Sequence, residues 1–237
     1  ALVQSQGTGV PKLLAQGLNP LPLALLSLKD ATSLRTLHSL VAQHQVAVIL
    51  NTTSFAQSAL DAPGDHALAG DVPVLQLVVS GGNEAIWQAD AHGLSPRDMA
   101  MHVVLPEVDG RIITRAISFK GLSHRSAHTQ SDVVHYTLHD ERADFVVQLA
   151  KRWCQLRAKP NADKRLALIL ANYPAAEGRI GNGVGLDTPA STIQILQTLQ
   201  QAGYAVADVP ADGDALMRAL TQGVTNDPES WALRPAF

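Results

Sequence analysis

Leu166-Ala167-Leu168-Ile169-Leu170-Ala171 is an apolar run that leads directly into Asn172-Tyr173-Pro174, and then into Gly178-Arg179-Ile180-Gly181-Asn182-Gly183-Val184-Gly185-Leu186-Asp187-Thr188-Pro189-Ala190-Ser191-Thr192. An apolar helical pattern follows. The order is buried strand, glycine-rich loop, helix start, and loops in that position commonly bind ligands in α/β proteins. Downstream, the pattern predicts a helix over 189–202, Gly203 as its cap, a strand over 204–209 and a helix over 212–222.

Upstream, short apolar runs again alternate with helical spacing. Leu23 to Leu28, Val46 to Leu50 and Asp71 to Val79 read as strands. Leu34, Leu37, Leu40 and Val41 are spaced for one helical face. Ser95-Pro96-Arg97-Asp98 has the residues of a helix start, with Ser as cap and Pro in the first turn. His102 to Leu105 and Arg111 to Phe119 are expected to be extended pieces around a turn at Asp109-Gly110. Asp132 to Leu138 is a further candidate strand. Asp140 to Arg157 is an amphipathic helix with Phe145, Leu149, Trp153 and Leu156 on one side. Alternating strands and helices imply right-handed βαβ units. The expected fold class is α/β, with mainly parallel sheets, flanking helices and two subdomains. The first covers 1–158 and carries the acidic turn; the second begins at 165, runs to 237 and carries the glycine loop. The polar, proline-containing stretch Ala158 to Lys164 separates them.

Composition narrows the function classes. With 46% hydrophobic and 16% charged residues among 237, the chain can bury a core. A net charge of −3 argues against a nucleic-acid surface, which needs a basic excess. The single cysteine, Cys154, rules out an internal disulfide and a paired-cysteine metal site. No apolar run reaches the roughly 18 residues of a membrane span. A cytoplasmic location is expected.

Asn172 to Thr192 resembles the NYP…GxGxGLDTPAS block of the CobN-type large subunit of aerobic cobaltochelatase. A related block occurs in the porphyrin-binding large subunit of magnesium chelatase. Leu105-Pro106-Glu107-Val108-Asp109-Gly110-Arg111 is similar to the family's LPEVDGR segment. Asn51-Thr52-Thr53, Asp71-Val72-Pro73-Val74 and Gly93 to Asp98 fit in order and spacing. The resemblance implies an internal portion of a subunit several times longer. It further implies ATP-dependent insertion of Co²⁺ into hydrogenobyrinic acid a,c-diamide. AAA+-type partner subunits would hydrolyse the ATP, with its Mg²⁺.

Metal insertion requires that ring N–H groups lose protons, that the metal shed water, and that the macrocycle be held. Carboxylates and imidazoles take protons and offer transient ligands to Co²⁺. Glu107 and Asp109 stand two apart and would face one side of an extended segment. Glu107 is therefore the expected base or transient metal ligand, with Asp109 in support and His102 as a second donor to the metal. A solvated turn accounts for the same carboxylates. Arg111 and Arg179 are candidates to pair with the ring's peripheral carboxylates. Asn172, Asn182, Asp187 and Thr188 are further polar candidates, although Asp187 or Thr188 also suits a helix cap. Trp87 is a candidate to stack on the macrocycle or a core residue. His124, His128, His135 and His139 have metal-like intervals, but the serines around them read as a surface loop.

The glycine triplet lacks the spacing of a dinucleotide fingerprint, and no phosphate-binding lysine follows it. Two other readings remain beside cobalt insertion. One is a magnesium chelatase large subunit, which would place Mg²⁺ in protoporphyrin IX. The other is a non-catalytic docking module for the AAA+ subunits.

Overall fold

The computed structural model describes residues 9–58, 70–89, 91–171 and 180–222. The chain divides into two compact units, Ala1–Arg157 and Ala158–Phe237. The first contains α1 (Gly9–Ala15), α2 (Ala31–Gln43), β1 (Ile49–Asn51), β2 (Val74–Ser80) and α3 (Glu84–Ala89). It continues with α4 (Pro96–Met99), a π-helical turn (Ala100–Val104), α5 (Leu105–Val108), β3 (Ile112–Arg125), β4 (Asp132–Leu138) and α6 (Asp140–Ala158). The sheet runs β1-β2-β3-β4. The first two pairings are parallel and the last is an antiparallel hairpin. The mainly parallel α/β class is therefore the one observed.

β2 is buried on both faces, as its near-continuous apolar run demands. Leu75 and Leu77 meet Ile117 of β3, Leu13 of α1, and Val146, Val147 and Ala150 of α6. Val78, with Ala116 and Phe119 of β3, meets Trp87, Leu94 and Val103 on the opposite face. Two register shifts between β2 and β3 turn Phe119 to that face. Each of the large side chains buried here contributes about 1.5–3 kcal/mol. α6 buries Ala143, Val146, Val147 and Ala150, whereas Phe145 and Leu156 are exposed. The small residues let the helix approach the sheet, and that decides the buried face.

Four expected extended segments differ. Leu23 to Leu28 joins no ladder among the described residues, and Leu26 is 95% exposed. Pro20 and Pro22 remove donors from its approach. With α1, α2, β1 and α6, this segment lines an apolar hollow of about 600 Å³. His102 to Leu105 is helical. Ser95 caps α4 by accepting from Asp98 N–H, and the helix then runs on toward Pro106. Proline in a regular helix would clash with the carbonyl four residues back. The π-turn widens the backbone just before it, and Leu105 N–H donates to the Ala100 carbonyl. In the second unit, 204–209 is broken where Val206 N–H donates back to the Tyr204 carbonyl and where Asp208 takes φ +52°. The apolar run 165–171 likewise forms no ladder among the described residues. Its side chains are largely exposed, Leu166 at 58% and Ile169 at 89%, so an apolar run alone fixes neither burial nor a pairing partner.

A buried polar network joins the loop after β1 to the start of β3. Arg111 Nη2 donates to Asp109 at 2.6 Å, and neither side chain touches solvent. Asp109 also accepts from Gln57 N–H at 2.7 Å, from Ser58 N–H at 3.0 Å and from the Ser58 hydroxyl at 2.7 Å. Gln76 of β2 accepts from Arg111 Nη1 at 3.1 Å and from Asn51 at 2.7 Å, and donates to the Thr53 carbonyl at 3.0 Å. Burial pushes the Asp109 carboxyl up. The hydrogen bonds from Gln57 and Ser58 and the charge of Arg111 outweigh that and hold it below its ordinary value.

The second unit contains a short 3₁₀ turn (Asn161–Asp163), α7 (Thr188–Gln201) and α8 (Gly213–Thr221). Gly203, at φ +81°, follows α7 as a left-handed cap. α8 starts against Pro189: a Cβ on Gly213 would lie 2.8 Å from the Pro189 Cβ.

Gly213→Ala is expected to lower stability by about 1–3 kcal/mol, read as a lower denaturation midpoint. Asp109→Asn is expected to cost about 3–5 kcal/mol in urea unfolding, because it leaves a buried guanidinium unpaired. Replacing the pair together, as Asp109→Leu with Arg111→Met, is expected to cost less. The folded carboxyl titrates below its unfolded value near 4. Its contribution is thus complete above that pH and lost as pH falls through the folded pKa. Acid unfolding of the wild type should steepen there, and Asp109→Asn should flatten it.

Candidate functional site

Glu107 lies on the four-residue helix α5, with its side chain exposed. Asp109 is the residue after α5, and the chain turns at Gly110 (φ +66°) into β3. On a helix, positions two apart lie about 200° around the axis. Glu107 therefore points outward and Asp109 inward. The expectation that the two carboxylates share one face is overturned by the helical backbone. Arg111 is equally enclosed, so in this structure neither member of the ion pair faces a ligand. Asp109 and Arg111 act from beneath, holding the 52–58 loop against the end of α5.

His102 lies in the π-turn and is half-buried, and its Nδ1 has no hydrogen-bond partner. Burial lowers its pKa, while Asp98 one turn earlier pulls the other way. The imidazole is thus neutral at neutral pH, the form that takes a proton or ligates a metal. Asp98 itself accepts from the Ser80 hydroxyl at 2.7 Å and from Gly81 N–H at 3.2 Å, fixing the loop at the C-terminal end of β2. Among the described residues, no three His, Cys, Asp or Glu side chains form a group able to hold a metal ion.

Trp87 packs on Phe119 with ring centroids 4.8 Å apart, and the Arg142 guanidinium lies over its ring at 4.8 Å. Its aromatic surface is thereby engaged within the fold. His124 and His135 sit on β3 and β4 rather than in a loop, His128 lies in the hairpin turn, and His139 immediately precedes α6.

Phe55 went unremarked in the sequence. It follows Asn51-Thr52-Thr53-Ser54, has φ +68° and is 52% exposed. A bulky side chain in the left-handed region costs roughly 1–3 kcal/mol. Phe55 N–H donates to the Met101 carbonyl of the π-turn at 3.0 Å. The helical segment that receives it exposes Val104 and Val108, four residues apart, together with Glu107. Gln76 has no counterpart among the sequence candidates, and Asp98, expected as part of a helix start, also holds the loop after β2. Polar residues in a strand and in a helix start carry no sequence signal of what they hold.

In the second unit, Asn172 and Arg179 lie outside the described residues. Gly183 to Leu186 forms a tight turn: Leu186 N–H donates to the Gly183 carbonyl, and Gly185 takes φ +73°, the type II position. Val184 at its tip is 96% exposed. Asp187 is the α7 N-cap, accepting from Ala190 N–H at 3.0 Å. Thr188 opens the helix, and its carbonyl accepts from the Thr192 hydroxyl. Asn182 is half-buried. Among the described residues, the turn Gly183 to Leu186 therefore presents an apolar tip and backbone groups rather than a cluster of charges.

Comparison with known proteins agrees with these segments. The sequence profile of the CobN/Magnesium Chelatase family matches residues 8–236. The chain is 55% identical, over 94% of its length, to the aerobic cobaltochelatase subunit CobN of Pseudomonas aeruginosa. It is 30% identical, over 58% of its length, to a magnesium-chelatase subunit of Chlorobaculum parvum. It covers 18% and 10% of those two proteins, respectively. The catalytic subunit of cobaltochelatase from Mycobacterium tuberculosis superposes with a TM-score of 0.71 at 35% identity, over 91% of this chain and 19% of that one. By profile, sequence identity and fold together, the chain belongs to the CobN/magnesium chelatase family.

Proposed function

We propose that this chain is a macrocycle-facing part of a cobaltochelatase large subunit, acting in the insertion of Co²⁺ into hydrogenobyrinic acid a,c-diamide. AAA+-type partner subunits hydrolyse ATP, with Mg²⁺, to drive the reaction in the cytoplasm. The observation that carries the reading is the 55% identity to a cobaltochelatase subunit across nearly the whole chain. The 30% identity to a magnesium-chelatase subunit is lower, which favours cobalt over magnesium in protoporphyrin IX. No helix among the described residues is long and apolar enough to cross a membrane.

Glu107 is the group we assign to the reaction. An exposed carboxylate beside exposed Val104 and Val108 offers one charge on an apolar surface, which suits a flat ring with inner N–H groups. A Glu107 oxygen takes the proton from a ring N–H. The freed nitrogen lone pair bonds to Co²⁺ as the metal releases a water. The neutral imidazole of His102 is the second proton acceptor or metal donor on this segment. Asn172, Arg179, Asn182 and Thr188 remain candidates for the ring's peripheral groups, with Asp187 serving the helix cap.

In the complete subunit with its ATPase partners, Glu107→Gln is expected to lower the insertion rate by tenfold or more while leaving ring affinity within threefold. Wild-type turnover would remove Glu107 from the mechanism. The chain alone, without the ATPase partners, is expected to insert no metal. Titrated with the corrinoid precursor, it should shift the ring's absorption band saturably. Capture of the ATPase subunits without ring binding would instead identify a docking module.

A further inference from the structure

We infer that Phe55 is a ring-stacking residue, laying its aromatic face on the apolar face of the macrocycle at the loop that ends β1. The inference rests on the ring-binding reading above and adds a contact residue to it.

Neither local preference nor burial accounts for a phenylalanine here. At φ +68° the position suits glycine or asparagine, yet it carries a bulky ring that is 52% exposed. Buried neighbours hold the backbone in place. Phe55 N–H is bound by the Met101 carbonyl, Ala56 is buried, and Gln57 and Ser58 N–H are clamped by the Asp109 carboxylate. The conformation is thus imposed by the π-turn and the enclosed ion pair, while the ring itself remains available. The loop follows the C-terminal end of a parallel strand, the side on which open α/β sheets bind ligands. The segment that anchors it also bears Glu107, Val104 and Val108 in exposed positions. A flat macrocycle offers the π-face that an exposed aromatic ring stacks on.

The test uses the complete subunit with its partners, the corrinoid precursor as probe, and the variants Phe55→Leu, Phe55→Gly and Phe55→Trp. Phe55→Leu and Phe55→Gly are expected to weaken ring binding about tenfold, read from the absorption band, with kcat at saturation nearly unchanged. Phe55→Gly should melt no lower than wild type, because glycine accepts the positive φ. Phe55→Trp should retain affinity and add an emission component that the bound ring quenches. Wild-type affinity in all three variants overturns the assignment while leaving ring binding intact. So does a loss of affinity in Phe55→Gly that appears only with a lower melting temperature. Failure of the wild-type subunit to bind the precursor removes the parent reading, and this inference with it.

Discussion

The carboxylate of Asp109 and the guanidinium of Arg111, only two residues apart in sequence, meet at 2.6 Å with no access to water. Enclosing two charges is expensive, and it is tolerated only where further hydrogen bonds satisfy them. Here Gln57, Ser58, Gln76 and the Thr53 carbonyl supply those bonds, and the buried Nε of Arg111 is left without a partner among the described residues. The partners come from the loop after β1, from the middle of β2 and from the entry to β3. One ion pair thereby fixes the mutual placement of three parts of the first unit. The outward-facing groups of α5 and of the loop inherit that placement.

The helical segment from Pro96 to Val108 is the second constraint. Pro106 cannot sit in a regular helix, and the π-turn before it absorbs the conflict. That turn directs the Met101 carbonyl to Phe55 N–H. A proline imposed by sequence thus links a helix irregularity to a strained loop across the unit. The resulting surface combines one carboxylate, two valines and one aromatic ring, all exposed. It is a surface of few charges and several exposed apolar groups. The role proposed for Glu107 depends on where its carboxylate is held, and the buried network fixes the turn beside it.

Much of the fold was legible in the sequence because its signals were local. Ser95 and Asp187 cap their helices through their own side chains, each three residues from the N–H it binds. The apolar run of β2 declared a strand buried on both faces, and Gly203 marked a helix end. The short motifs at 105–111 and 172–192 carried the family. Residues 102–105 misled because a valine-rich stretch reads as extended, while the cap at Ser95 had already committed the chain to a helix. Residues 204–209 misled because composition does not reveal a tight bend.

What the sequence determined alone was therefore the class of fold, the positions of most helices, and membership of a chelatase family, since caps, periodicity and short motifs act over a few residues. What tertiary structure decided was the direction in which each candidate side chain points. Glu107 and Asp109 are neighbours in sequence but face opposite environments, because a helix rather than a strand carries them there. Arg111 reads as a ligand-binding cation until its burial beside Asp109 is seen. Phe55 reads as an ordinary loop residue until its backbone conformation and exposure are seen. Direction and burial depend on contacts between segments tens of residues apart, and no local pattern encodes those.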